Sequence, residues 1–122
     1  MEIASNKKMV VQVRSLMTDT QIYKDGNLKL DSVAGIIGVS SSTLSKAINR
    51  VTGKNFNNYV NEFRVKEAIR LLSDAPENTR FVHGFYKQAG FQSRASFYRT
   101  FKKVIGITPA EYKRQKAAAK KT

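Results

Sequence analysis

The sequence predicts an all-α protein of about seven helices, arranged as two helix-turn-helix subdomains joined by a long central helix. Three observations predict it. Apolar residues recur at helical spacing through most of the chain, strand-like alternation is almost absent, and one module occurs twice at a constant offset of 53 residues.

Taken in order, Val10, Val13, Leu16 and Met17 predict a first helix from about Lys7 to Ile22, after which Asp25-Gly26-Asn27 turns the chain. Asp31 is the expected N-cap of a short second helix carrying Val33, Ala34, Ile36 and Ile37, stopped by Gly38. Ser40 caps a third helix through about Val51, ended by Gly53. A fourth opens near Asn55 and runs to about Ser73, short of Pro76, whose ring forbids continuation. Thr79 caps a fifth helix to about Ala89, stopped by Gly90, and Ser93 caps a sixth through about Ile105, stopped by Gly106. Thr108 caps the seventh, with Pro109 at the first helical position, where its missing N–H costs nothing. Ala117 to Thr122 is expected to fray. The resulting divisions are an N-terminal helix and linker packed on the first lobe (1–27), a first helix-turn-helix (28–54), a connecting helix (55–75), a second helix-turn-helix with a C-terminal helix (76–116) and a basic tail (117–122).

The repeat gives these elements an architecture. Ser40, Leu44, Ile48, Gly53 and Tyr59 recur 53 residues later as Ser93, Phe97, Phe101, Gly106 and Tyr112, while the turn is one residue longer in the second copy, Gly90-Phe91-Gln92-Ser93 against Gly38-Val39-Ser40. A short helix, a glycine-containing turn and a second helix make the helix-turn-helix plan. Along the connecting helix, Phe56, Tyr59, Val60 and Phe63 share one face, and Val65, Ala68, Ile69 and Leu72 centre on the opposite one. A helix whose halves bury opposite faces is gripped by a different lobe at each end. The 18 residues from Phe56 to Ser73 span about 27 Å, close to the ~34 Å between successive major-groove faces.

Charge points to the partner. The 122 residues hold 22 Lys or Arg and 9 Asp or Glu, a net +13. No acid lies between Asp31 and Glu62 or between Glu77 and Glu111, and four of the nine acids sit in the stretch separating these windows. Two surfaces free of negative charge imply a polyanion, nucleic acid ahead of a membrane surface. Without cysteine and with His83 as the lone histidine, disulfide scaffolds, thiol nucleophiles and metal clusters are excluded, so neither metal nor cofactor is expected. No apolar run approaches the ~20 residues of a membrane span, and no signal peptide is visible, so membrane insertion by this segment is not expected. His83 reads as an ordinary helix histidine, and Lys113-Arg114-Gln115-Lys116 through Lys120-Lys121 as a solvated basic tail that adds phosphate attraction at most. An enzyme is not expected.

The second helix of each module has a face suited to bases. In the first, Leu44, Ala47, Ile48 and Val51 form the apolar side, and Ser42, Ser45, Lys46 and Asn49 fall opposite. In the second, Phe97, Phe101 and Val104 form the apolar side, and Ala95, Tyr98, Arg99 and Lys102 fall opposite, matching position for position at the same offset. Arg99 can fork onto guanine O6 and N7, Asn49 can pair with adenine, Lys46 can reach guanine or phosphate, and Ala95 can lie against a thymine methyl. Arg94 can reach bases or backbone, while Arg50, Lys54 and Lys103 flank the stripes as phosphate contacts.

These residues resemble the AraC/XylS family of bacterial transcription regulators, over about Leu28 to Arg114. Gly90-Phe91-Gln92-Ser93-Arg94-Ala95-Ser96-Phe97-Tyr98-Arg99-Thr100-Phe101-Lys102-Lys103 is similar to the family's Gly-Phe, Phe and Phe-Lys-Lys signature, and Gly106-Ile107-Thr108-Pro109-Ala110-Glu111-Tyr112 to its Gly-x-Thr-Pro-x-x-Tyr ending. Leu30 through Ala34, Ser40, Leu44, Gly53, Tyr59, Arg64, Ala68 and Leu71-Leu72 fall in register too, and the wording of Asn55 through Asn61 is similar to versions common in Bacteroidetes. Two departures are Tyr86, where the family has a small residue, and Gly84 inside helix five, which costs that helix up to about 1 kcal/mol. The resemblance implies sequence-specific binding to double-stranded DNA, with base contacts at Ser42, Ser45, Lys46, Arg94, Ala95 and Arg99. It also implies a sensor or dimerisation domain outside this chain, a cytoplasmic location at the nucleoid, and room for contact with RNA polymerase or for a membrane-anchored parent. The competing expectation is a nonspecific RNA-binding or architectural protein, whose affinity follows phosphate charge alone.

Overall fold

A computed structural model describes residues 2–75 and 82–121. Among them are seven α-helices, two short 3-10 segments and no strand: α1 (Glu2–Thr20), α2 (Leu30–Ile37), α3 (Ser41–Thr52), α4 (Phe56–Asp74), α5 (Tyr86–Ala89), α6 (Arg94–Ile105) and α7 (Pro109–Lys121). The all-helical class expected from the periodicity is the observed one.

The chain divides into two units, Met1–Phe63 and Arg64–Thr122, and the division falls inside α4. In the first unit Val10, Val13 and Met17 of α1, Val33 and Ala34 of α2, Leu44, Ala47 and Ile48 of α3, and Phe56, Tyr59 and Val60 of α4 form one core. In the second, Val65, Ala68 and Leu72 of α4 pack with Ala89, Phe91, Phe97 and Phe101. The two apolar faces of the connecting helix therefore serve two separate cores. Phe97 and Phe101 are fully buried, each contributing about 1.5–3 kcal/mol of apolar burial. Their rings meet edge-on at 5.8 Å, and Phe101 meets Tyr112 edge-on at 5.7 Å.

Several boundaries differ from the sequence reading. The first helix spans Glu2–Thr20 rather than Lys7 to Ile22, because Gln21 adopts a left-handed backbone (φ 56°) that ends it and starts a 3-10 turn, Ile22–Lys24. That turn brings Tyr23 into the core, stacked on Phe63 at 5.9 Å. The Asp25-Gly26-Asn27 break is closed by the Asn27 N–H donating to the Asp25 carboxylate at 2.9 Å.

Asp31 is not the N-cap of α2. Lys29 holds that position with extended backbone, and α2 begins at Leu30. This start places Leu30, Val33, Ala34 and Ile37 at i, i+3, i+4 and i+7 on the core side, whereas Ile36, expected there, is 59% exposed. Asp31 sits in the first turn, where a negative charge is favourable, and accepts a hydrogen bond from the Ser41 hydroxyl at 2.5 Å.

Val51 and Val104, assigned to the apolar sides of α3 and α6, are 39% and 44% exposed. Both lie in the last turn of their helices, past the final buried residues Ile48 and Phe101.

The fifth helix is much shorter than expected. A 3-10 segment, Val82–Phe85, leads into the single α-turn Tyr86–Ala89, and Gly84 lies in the 3-10 part, as a residue of high backbone entropy favours. The expected cap Thr79 lies outside the described residues, as does the side chain of His83.

At the other end, α7 continues through Lys121 instead of fraying from Ala117. Lys113, assigned to a solvated tail, is buried and donates to the carbonyl oxygens of Leu72 and Ala75, both at 2.7 Å. These carbonyls end α4 and have no helical partner, so a cation there satisfies both hydrogen bonding and the helix dipole.

Candidate nucleic-acid interface

α3 and α6 are built the same way from their ends inward. Gly38 (φ 88°) and Gly90 (φ 102°) take the left-handed conformation that turns the chain out of the first helix of each module. The Ser40 hydroxyl then accepts from the Thr43 N–H at 3.1 Å, and the Ser93 hydroxyl from the Ser96 N–H at 3.1 Å. At the far ends the Gly53 N–H donates to Asn49 and the Gly106 N–H to Lys102, both at 2.8 Å. The following helices start alike too. Asn55 accepts from the Asn58 N–H at 2.8 Å and Thr108 from the Glu111 N–H at 3.1 Å, a further match at the offset of 53. Buried Leu44 and Ile48 on α3, and Phe97 and Phe101 on α6, fix the rotation of each helix, and so decide which side faces solvent.

The side left outward is the expected one. Ser42, Lys46 and Asn49 on α3 are exposed, as are Ala95, Tyr98, Arg99 and Lys102 on α6. Arg94, Arg50 and Lys103 are exposed beside them. Ser45 differs: it is half-buried and lines a groove with Leu28, Leu30 and Phe56. Lys54 is engaged within its own unit, its ammonium 2.6 Å from the Glu62 carboxylate.

Carboxylates of the connecting helix are likewise engaged within their own units. Glu62 holds Lys54, and in the second unit Arg70 pairs with buried Glu67 at 2.5 Å and with Asp74 at 3.3 Å.

Lys46 takes part in a further arrangement that the sequence reading missed. With Thr43 and Arg50 it lines a cleft of about 310 Å³ against α1, whose Ser5, Asn6 and Met9 form the other wall. The signal was present in α1: Asn6 falls on the same helical stripe as the buried Val10, Val13 and Met17, a polar residue where an apolar one continues the pattern.

Below this surface, Tyr59 is buried and its hydroxyl makes no hydrogen bond. Burial raises its pKa above the ordinary 10.0, and the guanidinium of Arg14, close by but outside hydrogen-bonding geometry, opposes the shift. Among the described residues no His, Asp and Glu group could hold a metal ion, and no helix is long and apolar enough to cross a membrane.

Comparison with known proteins gives this geometry a context. A family described as a helix-turn-helix domain matches residues 33–115. The chain is 30% identical over 95 residues to a probable transcription factor, PqrA, of Proteus vulgaris, covering 78% of this chain and 75% of that protein. It is 33% identical over 106 residues to an HTH-type transcriptional regulator from the cgkA 5′ region of Pseudoalteromonas carrageenovora, covering 86% of this chain and 59% of that one. A transcriptional regulator of Chromobacterium violaceum, described by its AraC-type DNA-binding domain, superposes with a TM-score of 0.74 at 26% identity, covering 93% of this chain and 96% of that one. The C-terminal domain of AraT, a response regulator from Geobacillus stearothermophilus, superposes with a TM-score of 0.68 at 27% identity, covering 84% and 82% of the two chains.

Proposed function

The chain belongs to the AraC-type helix-turn-helix family of transcription regulators, and from that membership we propose that α3 and α6 are the reading elements of its DNA contact. The function is sequence-specific DNA binding by a transcription regulator, and the family is one of DNA-binding regulators, not a class of enzymes.

The observation that carries the mechanism is the pair of outward stripes, matched at the offset of 53 and free of acid, on helices with the same caps. In the second unit Arg99 donates its fork to guanine, Ala95 packs on a thymine methyl, and Arg94, Tyr98 and Lys102 line the same groove wall. In the first, Asn49 pairs with adenine and Lys46 with guanine or phosphate, while Ser42 and half-buried Ser45 reach less far. Arg50, Lys54 and Lys103 hold backbone phosphates, Lys54 in competition with the Glu62 carboxylate that pairs with its ammonium. Each unit inserts its own helix, and the two helices occupy successive major grooves.

The module works as the DNA-binding part of a larger regulator in the cytoplasm, with a sensor or dimerisation domain as its partner in the same protein and RNA polymerase as a downstream contact. Support comes from AraT, whose matched part is the C-terminal domain of a response regulator.

Selection of bound duplexes from a random library at about 150 mM salt tests the mechanism. Two enriched blocks about one helical turn apart are the expected result. Binding without enrichment would favour an affinity set by phosphate charge alone.

A further inference from the structure

We propose that Asp31 is a positioning residue for α3: its bond to the Ser41 hydroxyl fixes how the start of α3 lies on α2, and through Lys46 and Asn49 sets the sequence preference of the first unit. This inference rests on the DNA-binding reading above.

The bond crosses a turn whose backbone ties only to one side. The N–H groups of Gly38 and Val39 both donate back to Ala34 of α2, at 2.8 and 3.0 Å, and the Ser40 hydroxyl bonds forward to Thr43 of α3. The Ser41 hydroxyl instead donates across ten positions of sequence to the Asp31 carboxylate at 2.5 Å, joining the first turns of the two helices. A hydrogen bond to an ionised acceptor is directional and about twice as strong as a neutral one. Direction matters because the core takes hold of α3 only from Leu44 onward, whereas Ser42 and Thr43 are exposed and Ser41 is half-buried. Burial of Leu44, Ala47 and Ile48 fixes the rotation of α3, but apolar contact is non-directional and leaves the tilt to whatever holds the helix start.

Charge agrees with the geometry. α3 has no acid in its own first turn, and Asp31, in the first turn of α2, supplies one to the positive ends of both helices. The second unit is built otherwise, since Arg94 stands 53 positions after Ser41, exposed and carrying donors only. The start of α6 therefore offers DNA a cation. The start of α3 is closed by a carboxylate, and reading by α3 falls to Lys46 and Asn49 further along the helix.

The test measures dissociation constants of wild type, Asp31→Ala, Ser41→Ala, the double variant and Asp31→Asn on the selected operator and on a random duplex, with urea denaturation to verify folding. The readout is the operator-to-random affinity ratio, which partial unfolding does not move because it weakens both duplexes alike. Asp31→Ala and Ser41→Ala are each expected to lower that ratio about three- to tenfold, and the double variant no further than either alone, since both remove the same bond. Asp31→Asn, whose amide oxygen still accepts from Ser41, should keep the wild-type ratio while tightening both duplexes by a common factor, because a negative charge near phosphate is gone. The loss in Asp31→Ala should persist when the operator block read by α6 is scrambled and vanish when the block read by α3 is. Additive losses in the double variant, an unchanged ratio in Asp31→Ala, a ratio lowered as far by Asp31→Asn, or a loss that follows the α6 block would each overturn the proposal. A wild type that fails to distinguish operator from random DNA overturns the reading itself and the positioning role with it. With a wild type that does distinguish them, the variants judge the positioning role alone.

Discussion

The buried ammonium of Lys113 donates to the carbonyl oxygen of Leu72 at 2.7 Å, tying α7 to the last turn of α4 across 41 positions of sequence. A second bond of equal length reaches Ala75, so one side chain closes two carbonyls that the end of the helix leaves open. Lys113→Met keeps the stem and removes the donor. It is expected to lower stability by about 1–3 kcal/mol in urea denaturation at neutral pH, the cost of two buried acceptors without a partner. An unchanged midpoint would show that water takes over both carbonyls.

Ser40 and Ser93 cap their helices with the same geometry, each accepting at 3.1 Å. Ser40→Ala and Ser93→Ala should each cost about 1 kcal/mol, measured as shifts of the denaturation midpoint. A silent substitution at one site beside a full loss at the other would show that the repeat is geometric without being energetic.

Arg99 is exposed near the centre of α6, with its neighbours Ala95 and Lys102 also open to solvent. Arg99→Ala is expected to cost about 1–3 kcal/mol on the selected operator and little on random DNA, read by fluorescence anisotropy. Equal losses on both would make it a phosphate contact and move the reading role elsewhere on the stripe.

Tyr59 links stability to pH. Its phenol pKa is raised by burial, so the folded state favours the neutral hydroxyl. That contribution is complete below the unfolded value of 10.0 and declines as pH rises through the higher folded value. Above pH 10 wild type should therefore lose stability relative to Tyr59→Phe. At pH 7 the variant should match wild type or exceed it by up to about 1 kcal/mol, because the deleted hydroxyl makes no hydrogen bond. A large loss at pH 7 would contradict this account and indicate a partner for the hydroxyl.

Much of the fold and of the outward stripes proposed to read DNA was legible in the chain itself, for local reasons. Ser40, Ser93, Gly53, Gly106 and Thr108 act within a turn or two of their own positions, so residue type and spacing suffice to place them. The stripes of α3 and α6 were legible because an apolar side at helical period leaves the opposite side outward. Where a helix runs past its core the period misleads, as Val51 and Val104 show. Asp31 misled for a related reason: as a residue type it suits a cap, but the burial of Val33 and Ala34 beside Leu30 set the start of α2 earlier.

The sequence by itself determined an all-helical chain, its repeat, the capped ends of α3 and α6 and the basic sides they present, since all of these follow from short-range backbone chemistry and periodic burial. Only tertiary structure decided that Lys113 is an internal cap, that Glu62 holds Lys54, and that Asn6 faces Lys46 across a cleft. Each of these joins groups distant in the chain or on different elements. Which donor meets which acceptor is then set by how the helices pack, and no local propensity carries that information.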